Sequence, residues 1–112
     1  MKAKLLALSA AATLAMGLST ASNATDMPPL AKKSGCTACH AIDHKVVGPA
    51  WMDVSKRYKG KDMHAALVAK VKKGGKGNWT AVTHGVPMPP YSPRVSDAHI
   101  SELVSFVLGL AK

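Results

Sequence analysis

Cys36-Thr37-Ala38-Cys39-His40 joins two thiols three positions apart to an imidazole that follows at once. One turn of chain spaces such thiols to meet the two vinyl groups of a porphyrin, and the adjacent imidazole then points at the iron. This is the attachment pattern of c-type haem. Three other chemistries use paired thiols. A thioredoxin-like redox pair wants a βαβ setting, and no strand alternation surrounds the motif. A zinc site needs more ligands at sensible spacing, and the chain holds only these two cysteines. A structural disulfide suits an exported protein but leaves His40 without a role.

An iron bound by His40 has a second axial position to fill. Met88 sits in Val86-Pro87-Met88-Pro89-Pro90, where prolines on both sides fix the backbone and can hold a thioether in place. A Met/His pair raises the reduction potential relative to two histidines, which suits an electron carrier. Met52 and Met63 are rivals, although they lie on helical stretches where methionine commonly fills core gaps. His84, four residues before Met88, is a further rival. His44, His64 and His99 read as surface residues.

The elements that must position these groups read as short helices punctuated by Gly and Pro. Asp26, Pro28 and Pro29 can cap and start a helix leading to Lys33. Cys39 to Pro49 reads as loop, and Ala50 to Tyr58 as a brief helix ended by Gly60. Asp62 opens a third helix with Met63, Leu67, Val68 and Val71 on one face, stopped by Gly74-Gly75. Residues 74–95, with Pro87, Pro89, Pro90 and Pro93, leave no room for a regular element of any length. The last helix is capped by Ser96 or Asp97 and places Ile100, Leu103, Val104, Val107 and Leu108 on one stripe. The expected fold class is all-α.

Lys2 and Lys4 precede an apolar and small-residue run from Leu5 to Leu18, and Ser22-Asn23-Ala24 offers a cleavage site. Residues 1–24 thus read as a secretory signal and 25–112 as the working domain, exported to the periplasm. The apolar run is short and lacks stop-transfer charge, so no stable membrane insertion is expected. About 88 residues make a small domain, and such domains commonly lean on a cofactor or crosslink. The whole chain offers one Phe, two Trp and two Tyr, so a buried haem would supply the missing core. Two of the 15 basic residues fall in the leader; the other 13 face six acids, a net +7. That balance favours acidic partners. Nucleic acid is excluded by export and by the absence of basic stretches interleaved with aromatics.

The segments KKSGCTACHAIDHKVVGPAWMDVSKRYKG, GGKGNW and PMPP, with the amphipathic C-terminal helix, together resemble the small bacterial class I cytochromes c. The resemblance spans nearly all of residues 25–112. It implies a class I cytochrome c fold, four to five short helices around one covalent haem c held by Cys36 and Cys39, with the terminal helices crossing beside it. It implies that the Pro49 carbonyl accepts a hydrogen bond from the His40 ring. It places Trp79 where a tryptophan hydrogen-bonds a haem propionate, and Lys70 where a basic residue lies near the same propionates. Two departures stand out. The stretch from Trp79 to Pro87 is longer than in such relatives, and Phe106 replaces a frequent tryptophan.

The function that follows is outer-sphere transfer of single electrons, without catalysis, between redox proteins with acidic docking surfaces. The resemblance suggests a periplasmic reductase or terminal oxidase downstream, and a quinol-oxidising complex or dehydrogenase upstream. Lys32, Lys33 and Lys45 would rim the haem edge. The alternatives are a haem enzyme or gas sensor with an open sixth iron position, and a fixed cytochrome subunit of a larger oxidoreductase.

Overall fold

The computed structural model describes residues 25–112; the expected leader lies outside the described residues. Five helices follow one another: α1 (Pro29–Lys33), α2 (Trp51–Tyr58), α3 (His64–Lys73), α4 (Thr80–Thr83) and α5 (Asp97–Leu108), with a 3₁₀ turn at Cys36–Ala38 between the first two. Pro29 starts α1, where its fixed φ suits a helix and its missing N–H loses nothing. Asp26 does not cap it: Pro28 occupies that position and no side chain bonds the first turn. Gly35, at φ 85°, ends α1 and turns the chain into the thiol motif.

α2 buries Trp51, Val54, Ser55 and Tyr58, one stripe at i, i+3, i+4, i+7. Its polar member is satisfied, because the Ser55 hydroxyl donates to Leu108 O at 3.0 Å and accepts from Ala111 N at 2.9 Å. That pair of bonds seats the end of α5 on α2. Ser96 is the N-cap of α5, accepting from His99 N at 3.2 Å, and Ile100, Leu103, Val104 and Val107 are buried as the periodicity requires. α5 packs against α1, α2 and α3 and so forms the spine of the domain. Phe106 meets Trp51 edge-on at 6.0 Å, keeping an aromatic contact between α5 and α2.

The proline-rich stretch is less irregular than its composition implies. α4 is one helical turn, held because Val82 and Thr83 N–H groups both reach the Trp79 carbonyl at 2.9 Å. No strand forms among the described residues, but two isolated antiparallel bridges join His40 to Lys45 and Gly75 to Met88. No described helix is long and apolar enough to cross a membrane.

The core comes in two clusters. One contains Ala31, Cys36, Trp51, Val54, Tyr58, Leu103 and Val107; the other contains Tyr91, Val95, Ile100 and Val104, with Met88 packed against it. Leu67 and Leu108 touch both. Between the clusters lies a cleft.

Candidate haem site

The cleft has a volume of about 380 Å³, and its lining is overwhelmingly apolar. Cys36, Cys39, His40, Pro49, Lys70, Trp79 and Met88 all border it, so the residues expected to bind the cofactor converge on one space. α3 presents its apolar stripe to this space: Met63, Leu67 and Val71 all line the cleft, and no residue of α3 is fully buried against protein. Were a space of that size closed and dry, at about 24 cal/mol per Å³ it would cost on the order of 9 kcal/mol. That equals the whole stability of many small domains. The residues therefore fit a large apolar group that would complete the core and attach through the two thiols.

The thiols are unpaired, with Cys36 buried and Cys39 half-buried. The 3₁₀ turn sets both on the cleft, closed by Cys39 N and His40 N donating to Cys36 O at 3.2 and 2.9 Å. Burial pushes the Cys36 thiol pKa up.

His40 is the most constrained side chain of the site. Its Nδ1 lies 2.8 Å from Pro49 O. A carbonyl oxygen only accepts, so Nδ1 carries the hydrogen and Nε2 keeps its lone pair. Burial lowers the imidazole pKa, the bond to Pro49 acting the other way, so the ring favours the neutral form that ligates metals. Trp51 packs on the ring at 5.8 Å between centroids. A Cβ at Gly48 would stand 2.5 Å from His40 Cε1, so only glycine leaves room for the ring there. Two bonds to Cys39 O, from Val47 N and Gly48 N at 3.2 and 2.8 Å, fold this loop back over the motif.

Met88 is fixed by its backbone. Its N–H donates to Gly75 O at 3.0 Å, and its carbonyl accepts from Gly75 N at 2.8 Å. Of its rivals, Met63 also borders the cleft, at the N-cap of α3, whereas Met52 and His84 do not. His84 is exposed, in the left-handed conformation at φ 55° just past α4. His64 departs from its expected surface role: its Nε2 lies 3.2 Å from Ser101 O and 3.1 Å from Ser105 Oγ, tying α3 to α5. His44 and His99 are exposed as expected.

Trp79 stands edge-on to Tyr58 at 6.4 Å, with the Arg57 guanidinium 4.6 Å above its ring. Arg57 also donates to Asn78 O at 3.0 Å, so the loop is clamped from α2. Sequence reasoning missed Arg57, because a contact across 21 residues leaves no periodic trace. Lys70 folds over the neighbouring glycines, its Nζ donating to Gly74 O at 3.3 Å; a Cβ at Gly77 would lie 2.9 Å from Lys70 Cε. Val86 and Val47, 49% and 39% exposed, form an apolar collar at the mouth, with Val46 beside them.

Comparison with known proteins agrees with this geometry. The cytochrome c family model matches residues 28–111. Cytochrome c-551 of Allochromatium vinosum is 51% identical over 83 residues, covering 72% of this chain and 82% of that protein. Cytochrome c-551 of Pseudomonas aeruginosa is 41% identical over 105 residues, covering 93% and 92%. Among solved structures, wild-type Nitrosomonas europaea cytochrome c552 superposes with a TM-score of 0.64 at 43% identity, covering 72% of this chain and 95% of that one. The chain belongs to the cytochrome c family, as a small class I member that transfers electrons through one haem c covalently bound at Cys36 and Cys39.

Proposed function

We propose that the protein is a periplasmic, freely diffusing carrier, with His40 and Met88 as axial ligands, that docks acidic redox partners and catalyses no reaction of its own. The observation that carries this reading is the fixed pair of donors on one cleft: His40 with its lone pair at Nε2, and Met88 pinned to Gly75. Haem c, when bound, supplies a one-electron ferrous/ferric couple. The chain's own residues do the rest. Pro49 and Gly48 hold the His40 ring in one tautomer and one orientation, as outer partners of a ligand do. The prolines and the Gly75 bridge hold Met88, which as a ligand would leave the iron no position open to a substrate. Trp79 and Lys70 border the cleft where a carboxylate of the cofactor would find an indole N–H and an ammonium. Val47 and Val86 give the mouth an apolar edge, and Lys32, Lys33 and Lys45, all exposed, flank the thiol motif in sequence.

The cofactor and the export reading are tested together. Protein matured in its native host should begin at Thr25 and carry one haem that acid-acetone does not extract, read by intact mass. A mass without haem, or with residues 1–24 retained, would overturn it. The docking surface is tested by kinetics. Exposed charges are screened over about 8 Å near physiological salt, so electron transfer to the acceptor should slow as salt rises. Lys33→Glu should lower the association rate severalfold and leave the potential nearly unchanged, because a rim charge acts mainly on encounter. Lys112→Glu, at the far chain end, is the control. Stopped-flow rates indifferent to salt and to Lys33→Glu would assign docking to the valine collar alone.

A further inference from the structure

A second arginine stacks on a second ring of the cleft, and it has no place among the residues discussed so far. The Arg94 guanidinium carbon lies 4.9 Å from the centre of the Tyr91 ring. Tyr91 is 6% exposed, lines the cleft three residues after Met88, and belongs to the cluster on which Met88 packs. Its backbone is tied at both ends: its N–H donates to Val71 O of α3 at 3.1 Å, and its carbonyl accepts from Val95 N at 2.8 Å. The ring thus forms part of the wall on the methionine side, on a backbone fixed to α3.

Arg94 brings charge to that wall. The ion pairs among the described residues are His44 with Asp43 and Lys72 with Asp97; none involves Arg94. Its guanidinium thus makes no contact ion pair, although Glu102 borders the same surface groove.

We propose that Arg94 and Tyr91 form a tuning pair for the haem: Tyr91 is a positioning residue that steadies Met88, and the Arg94 charge favours the reduced state. The inference rests on the reading of the cleft as a haem site with Met88 as ligand. The electrostatic step is simple. The oxidised centre carries one more positive charge than the reduced one, so a fixed cation nearby disfavours oxidation. Arg94 is exposed, so the effect is partial and weakens with salt. Stacking and charge can be separated, because lysine keeps the charge and loses the planar guanidinium that lies on the ring.

The test uses haem-loaded variants, each checked for covalent haem by intact mass, equilibrated at low salt against a redox dye of known potential. Arg94→Gln should shift the equilibrium about threefold toward the oxidised form, which at 59 mV per tenfold for one electron is about 28 mV. Raising the salt should shrink that shift, and Arg94→Lys should retain the parental potential. Tyr91→Leu should weaken the methionine-to-iron charge-transfer band and speed carbon monoxide binding, whereas Tyr91→Phe should preserve both. An Arg94→Gln potential equal to the parent's, with the band intact, overturns the charge role. A Tyr91→Leu band and carbon monoxide rate equal to the parent's overturn the positioning role. A parent protein that lacks the haem or the band would instead sink the underlying site reading, and the proposal with it.

Discussion

Met88→Ala should lower the reduction potential by on the order of 100 mV and let carbon monoxide bind the ferrous protein readily, which the parent should resist. A thioether prefers ferrous over ferric iron, so its loss removes a stabilisation that the reduced state enjoys more. The variant should still carry haem, because Cys36, Cys39 and His40 lie on a separate turn braced by Pro49, Trp51 and Gly48. The methionine-to-iron charge-transfer band should disappear. Met63 supplies the discriminating control, since it too borders the cleft. Met63→Leu should preserve both band and potential, because the residue packs on the core cluster and has no bridge like that of Met88 to Gly75. If Met63→Leu abolishes the band and Met88→Ala does not, the ligand assignment is reversed. If the parent binds carbon monoxide as fast as Met88→Ala, the iron position is open and an enzyme or sensor becomes the better reading.

What the sequence displayed of this site depends on how local each interaction is. The thiol motif is five consecutive residues whose spacing is its chemistry, so it is legible without a fold. The stripes of α2 and α5 were equally open to view, because burial imposes a period of 3.6. α3 showed its stripe too, but not what the stripe faces; Met63, Leu67 and Val71 border the cleft as well as packing on the clusters built around α5. α4 was hidden for the opposite reason. Thr80–Thr83 has weak helix formers and only four residues, and its turn depends on the Trp79 carbonyl accepting two N–H groups. His64 looks like a surface histidine on its own helix; its partners Ser101 and Ser105 come from α5. The Arg57–Trp79 stack bridges α2 and a loop far along the chain, so no window of sequence contains both. Arg94 and Tyr91 are only three apart, yet nothing local says that the ring points into a cleft.

The glycines sharpen the same lesson, since Gly74-Gly75 was legible as a helix stop but not as the seat of the methionine loop. Gly74→Ala should therefore be far more damaging than Gly75→Ala. Gly74 sits at φ 71° and ψ −162°, a region essentially reserved for glycine that costs an alanine about 1–3 kcal/mol. A Cβ there would also lie 2.4 Å from Met88 O, 2.7 Å from Pro90 N and 2.8 Å from Pro89 C. These are backbone atoms of a Met-Pro-Pro run, so no side chain can swing aside, and overpacking of this kind costs typically 1–3 kcal/mol more. The loop must lift, which breaks the two bonds between Gly75 and Met88 and moves the thioether off its line. Gly75 also has positive φ, at 109°, but its added Cβ would meet only the flexible end of Lys70 at 3.4 Å. Gly75→Ala should therefore show the conformational cost alone. Denaturant unfolding of the two haem-loaded variants should place Gly74→Ala lower by about 1–3 kcal/mol, and only Gly74→Ala should lose the methionine-to-iron band and gain carbon monoxide binding. Equal losses in the two variants, with the band intact in both, would mean that Gly74 ends a helix and does nothing for Met88.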